Sequence, residues 1–136
     1  MNTTPLIILL AALLAACSPG GEPQLSLETN RLELGDVPNG QIVTRDLSLR
    51  NDGDATLIVQ NLSTSCGCTT ATLEPMQLQP GASAALHIAF DSGAHGPDLT
   101  GPMVRQIYIT SNDPVQPELT LDLAVNVTPR QVTHGN

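Results

Sequence analysis

The chain has 136 residues and a formal net charge of −8, with five basic residues, all of them arginine, against thirteen acidic ones. This charge argues against nucleic acid or an anionic lipid surface as a partner. Tryptophan is absent and the aromatic residues are Phe90 and Tyr108, so the core must be built from Leu, Ile, Val and Ala, and an antibody-like core around tryptophan is excluded.

The first sixteen residues are typical of an export signal. Residues 5–16 are almost wholly apolar, but a helix that spans a bilayer needs about 20 such residues. A short apolar stretch that ends in small residues is typical of a cleaved signal peptide. Its end, Leu14-Ala15-Ala16-Cys17, resembles the lipobox of bacterial lipoproteins, although residues 2–4 lack the usual Lys or Arg. We therefore predict a signal peptide over 1–16 and lipid attachment at Cys17; an ordinary secretory signal with a chance cysteine is the alternative.

The residues after Cys17 predict where the chain is held. Ser18 resembles the residue found at this position in Gram-negative lipoproteins that are sorted to the outer membrane. We expect an extracytoplasmic protein, anchored to the membrane through covalent lipid, that faces the periplasm from the outer membrane. Residues 17–23 are rich in Ser, Pro and Gly and predict a flexible tether. Residues 24–128 then predict one domain, and residues 129–136 a polar tail.

Alternation of apolar and polar residues dominates the predicted domain. In the clearest run Leu119, Leu121, Leu123, Val125 and Val127 share one face, which is typical of a half-buried antiparallel strand. Turn signals such as Asn39-Gly40 separate the alternating segments. We predict strands over 24–28, 31–35, 41–50, 56–65, 68–73, 83–91, 102–110 and 118–127. Their number and spacing predict an all-β fold, an immunoglobulin-like antiparallel β-sandwich of seven to eight strands.

Six short motifs support this fold by resemblance. In chain order they are Leu32-Glu33-Leu34-Gly35-Asp36-Val37, Leu47-Ser48-Leu49-Arg50-Asn51-Asp52-Gly53, Ser65-Cys66-Gly67-Cys68-Thr69, Leu78-Gln79-Pro80-Gly81, Leu86-His87-Ile88-Ala89-Phe90-Asp91 and Thr110-Ser111-Asn112-Asp113-Pro114. With them residues 24–128 resemble the bacterial domain of unknown function 1573, an immunoglobulin-like sandwich related to hydin and abnormal-spindle type domains. Leu replaces the family's aromatic residues at four positions, which indicates a divergent member. The resemblance implies the fold and no established activity.

Cys66 and Cys68 are the one pair of thiols that remains when Cys17 is acylated, an even pair in an oxidising compartment, and the sequence leaves open whether they form a disulfide. In an extended Cys-Gly-Cys segment the two Cβ atoms would lie about 6.6 Å apart, too far for the roughly 3.8 Å that a disulfide prefers. We expect Gly67 to allow the turn that closes it. So small a ring contributes little loop-closure stabilisation.

Three roles for this pair stay open. In the first role the two cysteines are small buried apolar side chains or a passive disulfide at a sheet corner. In the second role they are a redox pair that exchanges with partner thiols, although no Lys, Arg or His is adjacent in sequence to favour a thiolate. Or they hold a soft metal such as Cu(I) or Zn(II), completed by a residue from the set His87, His95, Met76 and Met103.

No other segment predicts chemistry. Asp91, His95 and Asp98 share a long loop, but their spacing lacks the Gly and Glu positions of a calcium loop, and solvated charges are the better interpretation. The mature domain contains no hydrolase motif. We therefore predict a non-enzymatic module with no cofactor and no small-molecule substrate. Its exposed strand edges and the 92–101 loop would contact another envelope protein. The alternative is a thiol redox or copper- or zinc-handling lipoprotein.

Overall fold

The computed structural model describes residues 20–132, so the predicted signal peptide, Cys17 and the last four residues of the predicted tail lie outside the described residues. Each of the eight predicted strands is present; β2 continues to Pro38 instead of ending at 35, and a two-residue strand, β6, is added. The strands of the described chain are β1 (Leu25–Leu27), β2 (Arg31–Pro38), β3 (Ile42–Asn51), β4 (Leu57–Thr64), β5 (Thr69–Leu73), β6 (Gln77–Leu78), β7 (Ser83–Asp91), β8 (Gly101–Ser111) and β9 (Glu118–Thr128).

The strands form the predicted sandwich of two sheets. One sheet has the order β1-β3-β7-β5 and the other the order β2-β9-β8-β4-β6. All pairs are antiparallel except β2 with β9, which run parallel and shift register between Glu33 and Gly35. Alternation in a sequence indicates which side chains face inward, but it does not indicate the direction of the neighbouring strand. Within residues 20–132 no helix is long and apolar enough to cross a bilayer.

The core lies between the sheets and is aliphatic, as the composition requires. Phe90 is the one aromatic side chain that is fully buried among the described residues. It packs in a single cluster with inward-facing residues of both sheets. The predicted inward face of β9 is confirmed, because its five alternating aliphatic residues are all buried: Leu119, Leu121, Leu123, Val125 and Val127.

The two ends of the sandwich carry different connections. At one, which we call the N-terminal end, residues 20–24 approach the β3–β4 and β8–β9 connections. The β6–β7 connection lies at the same end, where the Gly81 amide donates to the Asn51 carbonyl. The backbone carbonyls of Glu22 and Gln24 accept hydrogen bonds from the amides of Asp54 and Asp52 at 2.9 Å each. Backbone pairing therefore reaches Glu22, inside the range predicted as tether.

Asp113 joins β1 to the β8–β9 connection at the N-terminal end through hydrogen bonds to backbone amides. Its buried carboxylate accepts backbone hydrogen bonds from Leu25 at 2.8 Å, Val115 at 2.9 Å and Gln116 at 3.0 Å. Burial raises the pKa of this carboxyl, but the three hydrogen bonds outweigh burial, so the pKa lies below its ordinary value of 3.8. The charged form is therefore the one that the fold favours.

The opposite end, the cysteine end, carries the β2–β3 turn (39–41), the β4–β5 connection (65–68) and the β7–β8 loop (92–100). Because β4 belongs to one sheet and β5 to the other, the β4–β5 connection crosses between the sheets. The chain leaves the domain here after Thr128, next to the turn whose Asn39 amide donates to the Thr128 carbonyl. The cysteine pair thus lies at the end farthest from residues 20–24.

Candidate thiol site at the cysteine end

The β4–β5 connection is held by backbone pairing with β8. The amide of Ser65 donates to the Gln106 carbonyl, and the Ser65 hydroxyl accepts from the Gln106 amide, both at 2.9 Å. The Thr64 hydroxyl lies 2.9 Å from the Cys66 carbonyl and 3.0 Å from that of Thr69. These contacts hold a tight turn where the sequence would otherwise continue as an extended strand.

Cys66 and Cys68 form a disulfide in this turn. Their Cα atoms are 5.2 Å apart, within the usual range for a disulfide. The expectation that Gly67 provides special backbone freedom is wrong. Its φ is not positive, and a Cβ added there would meet no atom within 4 Å. The turn itself, and not the absence of a side chain, brings the sulfurs together.

The two sulfurs have different surroundings. Cys68 is 3% exposed and belongs to the core cluster, with its sulfur 3.6 Å from the Thr69 hydroxyl. Cys66 is only partly buried, and its sulfur accepts a hydrogen bond from the Cys68 amide at 3.0 Å. A thiol that approaches from solvent therefore meets Cys66 first.

His95 is a basic residue that lies next to the cysteine pair in the structure although it is distant in the sequence. Its Nε2 lies 3.3 Å from the Cys66 sulfur, although the two residues are 29 positions apart. The imidazole is exposed, so it stands beside Cys66 on the solvent side. Of the two histidines proposed to complete a metal site, His95 is the one that joins a cluster with both cysteines, with all three donor atoms within 4.8 Å of one another.

The loop that carries His95 is held by a buried asparagine. The Asn39 side-chain amide donates to the carbonyls of Ser92 at 3.1 Å, Gly96 at 2.9 Å and Leu99 at 3.1 Å. Its Oδ1 is buried without a hydrogen-bond partner. Sequence reasoning identified Asn39 only as a turn residue and missed this role, because nothing local distinguishes a buried asparagine from an exposed one.

The other sequence candidates lie elsewhere or serve the loop. His87 faces outward on β7, with Nδ1 2.6 Å from a carboxylate oxygen of Asp46. Asp91 accepts a hydrogen bond from the Gly93 amide at 2.8 Å, which stabilises the start of the loop. Met103 lies on β8, where its sulfur is 3.4 Å from Arg105. Asp91 and Asp98 do not join His95 in a metal-binding cluster among residues 20–132.

The geometry permits two kinds of chemistry. A soft metal is bound by thiolates, so holding one here requires that the disulfide first be reduced. Thiol exchange needs an accessible sulfur and a nearby proton acceptor, and Cys66 beside His95 supplies both as the structure stands.

A family comparison agrees with the fold. The family model described as "Protein of unknown function (DUF1573)" matches residues 25–127. The chain belongs to this family. The resemblance inferred from the six motifs is therefore confirmed for the DUF1573 domain, whereas the lipoprotein signal stays a prediction.

Solved structures share the sandwich with the DUF1573 domain. A protein of unknown function from Porphyromonas gingivalis W83 is 21% identical with a TM-score of 0.69, over 85% of this chain and 51% of that one. The VesB protease of Vibrio cholerae is 15% identical with a TM-score of 0.62, over 76% and 32%. A PapD-like domain of human CEP192 is 12% identical with a TM-score of 0.61, over 96% and 99%. The chain thus spans about half the Porphyromonas protein and a third of the protease. At these identities the likeness shows the fold alone. The comparison with curated proteins gives no match.

Proposed function

We propose that this chain is a lipid-anchored envelope protein whose immunoglobulin-like module binds another envelope protein through its cysteine end. The anchor would be Cys17, on the outer membrane and facing the periplasm. The family and the PapD-like fold support a non-enzymatic β module. The opposite placement of residues 20–24 and the cysteine end carries the proposal.

That placement gives the two ends unequal access. Residues 20–24 pair with the β3–β4 connection, so a tether that begins at Cys17 brings the N-terminal end towards the bilayer. The four residues 18–21 that precede this pairing reach at most about 14 Å, which keeps that end close to the membrane. The 92–100 loop and the β4–β5 connection then point away from it, where a partner meets them first.

The contact surface combines loops with a free strand edge. β3 pairs with β7 along its whole length but with β1 only over Leu49–Asn51. The other edge of β3 is therefore open towards the cysteine end, where Ile42 is 69% exposed. Open edges and loops are common recognition surfaces of sandwich domains.

The anchor is tested by metabolic labelling with a radioactive fatty acid in a Gram-negative host. The native chain should incorporate label and fractionate with the outer membrane, and Cys17→Ser should lose both properties. Cys66→Ser, Cys68→Ser is the matched control, because it removes two cysteines and leaves the predicted lipobox intact. Label that persists in Cys17→Ser contradicts the anchor.

The docking surface is tested by photo-crosslinking in intact cells. A photoreactive amino acid at Asp98, in the 92–100 loop, should yield a discrete crosslink to one envelope protein. The matched position is Val115 at the N-terminal end, which is 85% exposed and should yield none. Equal crosslinking from both positions, or none from Asp98, contradicts docking through the cysteine end.

A further inference from the structure

We propose that the Cys66–Cys68 disulfide is an oxidant for a protein dithiol, with Cys66 as the sulfur that is attacked, Cys68 as the leaving group and His95 as the base. This activity does not depend on the docking proposal, since it is a property of three side chains within one turn and one loop. It also accounts for the presence of the disulfide, which stabilisation of the fold does not, because a three-residue ring contributes little loop-closure stabilisation.

Accessibility decides which sulfur reacts. Cys66 is partly exposed, while Cys68 is 3% exposed and packed in the core cluster. Exchange proceeds by attack of a thiolate on one disulfide sulfur. The structure leaves that attack open at Cys66 and covers Cys68.

His95 stands where the incoming thiol must arrive. Its Nε2 lies 3.3 Å from the Cys66 sulfur and its ring is exposed. A thiol is a poor nucleophile until it loses its proton, and an adjacent imidazole is a common acceptor for that proton. A thiol that reaches Cys66 therefore comes within hydrogen-bonding range of His95.

The first step balances as follows. His95 takes the proton of the incoming thiol, and the resulting thiolate forms a bond to the Cys66 sulfur. The Cys66–Cys68 bond breaks and its electron pair goes to Cys68. The imidazolium returns the proton to Cys68, whose sulfur lies within 4.8 Å of the imidazole donor atom.

The second step releases the product. His95 takes the proton of the partner's second thiol, and the resulting thiolate attacks the partner's own sulfur in the mixed disulfide. Cys66 leaves as a thiolate, which the imidazolium then protonates. The Cys68 amide, 3.0 Å from the Cys66 sulfur, and the imidazole both stabilise that leaving thiolate. Two electrons pass to the Cys66–Cys68 pair, and the partner dithiol becomes a disulfide.

The test measures single-turnover exchange of the full chain, produced in a bacterial envelope and extracted in detergent, with two small thiols. 2-Mercaptoethanol is protonated at neutral pH, whereas thionitrobenzoate is already ionised. His95→Gln should slow reaction with 2-mercaptoethanol by about 100-fold and leave reaction with thionitrobenzoate within about twofold. His87→Gln is the matched control and should change neither rate. Equal slowing with both thiols means that His95 only shapes the turn, which overturns its role as a base.

The identity of the attacked sulfur is tested by trapping and mass spectrometry. Cys68→Ser, with glutathione disulfide added, should carry one glutathione on Cys66, whereas Cys66→Ser should leave Cys68 unmodified while folded. Modification of Cys68 in the folded Cys66→Ser chain overturns the assignment. So does a reduced native chain that binds one Cu(I) and loses it in His95→Gln while exchange rates stay unchanged, because the cluster is then a metal site.

Discussion

Each end of the sandwich is closed by one buried asparagine, and the two asparagines differ in how completely they are bonded. At the N-terminal end Asn51 has no exposed surface. Its Oδ1 accepts from the amides of Gln24 and Gly53, and its Nδ2 donates to the carbonyls of Ala55 and Leu78. At the cysteine end Asn39 donates to three carbonyls, but its Oδ1 has no partner.

By this difference the N-terminal end has the more complete set of hydrogen bonds within the protein. A buried polar group without a protein partner costs free energy unless a bound water satisfies it. The N-terminal end, with Asn51 and Asp113 fully bonded, behaves as a clasp that holds the first residues of the domain. The cysteine end keeps the unpartnered atom, the accessible sulfur and the exposed imidazole.

Asn51→Ala should give the largest effect. It removes four hydrogen bonds and leaves buried backbone groups without partners, so we expect a loss of about 4 kcal/mol in the free energy of unfolding. Urea denaturation of the full chain in detergent measures it.

Asn39→Ala should cost about 2 kcal/mol and make the 92–100 loop more sensitive to protease. Equal losses at the two positions would contradict the comparison between the ends.

Asp113→Ala should cost about 3 kcal/mol at neutral pH, because three backbone amides lose a charged acceptor. The native pKa is depressed, so the stabilisation is present above the unfolded value of about 3.9 and is lost as the pH falls through the native pKa. Urea midpoints measured from pH 7 down to pH 3 should therefore fall in the native chain more steeply than in Asp113→Ala. Parallel pH profiles would show that this carboxylate does not stabilise the fold.

Gly53→Ala should cost about 2 kcal/mol, since a Cβ there meets the backbone of Glu22 and Gln24, which cannot move without breaking the clasp. Gly67→Ala at the cysteine end is the matched control. It meets nothing within 4 Å and has no positive φ, so its thermal midpoint should stay within about 1 °C of the native value. A larger shift for Gly67→Ala than for Gly53→Ala would reverse the comparison.

The double change Cys66→Ser, Cys68→Ser should cost at most about 1.5 kcal/mol, less than Asn51→Ala, Asp113→Ala or Gly53→Ala, because the disulfide closes a ring of three residues. Differential scanning calorimetry of native and double-mutant chains measures it. A loss as large as that of Asn51→Ala would mean that the disulfide is a structural element comparable with the clasp.

The sequence predicts the strands because alternation is local. Each strand from β1 to β9 except β6 carries enough alternating or bounding residues to be recognised, whereas Gln77–Leu78 is too short to show a period. The sequences of β2 and β9 do not indicate that these strands pair in parallel, because the pairing depends on the change of sheet between Leu27 and Arg31. Local pattern therefore predicts elements, and tertiary packing decides their neighbours.

The site is predictable only in part, for the same reason. Cys66 and Cys68 are adjacent enough to be recognised from spacing, and His95 was one of several candidates. Its selection depends on a loop 29 residues away that Asn39 holds in place. The sequence places Asn51 and Asp113 in motifs that carry the family resemblance. The number of backbone groups that each one binds depends on how residues 20–24 meet three separate connections.

The length of β9 sets the distance between the N-terminal end of the domain and the Cys66–Cys68 pair. Eleven strand residues at about 3.3 Å each span roughly 35 Å, and the four residues 18–21 that precede the pairing at Glu22 add at most about 14 Å. If Cys17 anchors the chain as proposed and the sandwich stands upright on the bilayer, Cys66 would lie about 35 to 50 Å above its surface. In that orientation a cysteine flush with the lipid would be out of range, and a partner would have to extend from the membrane surface to meet Cys66.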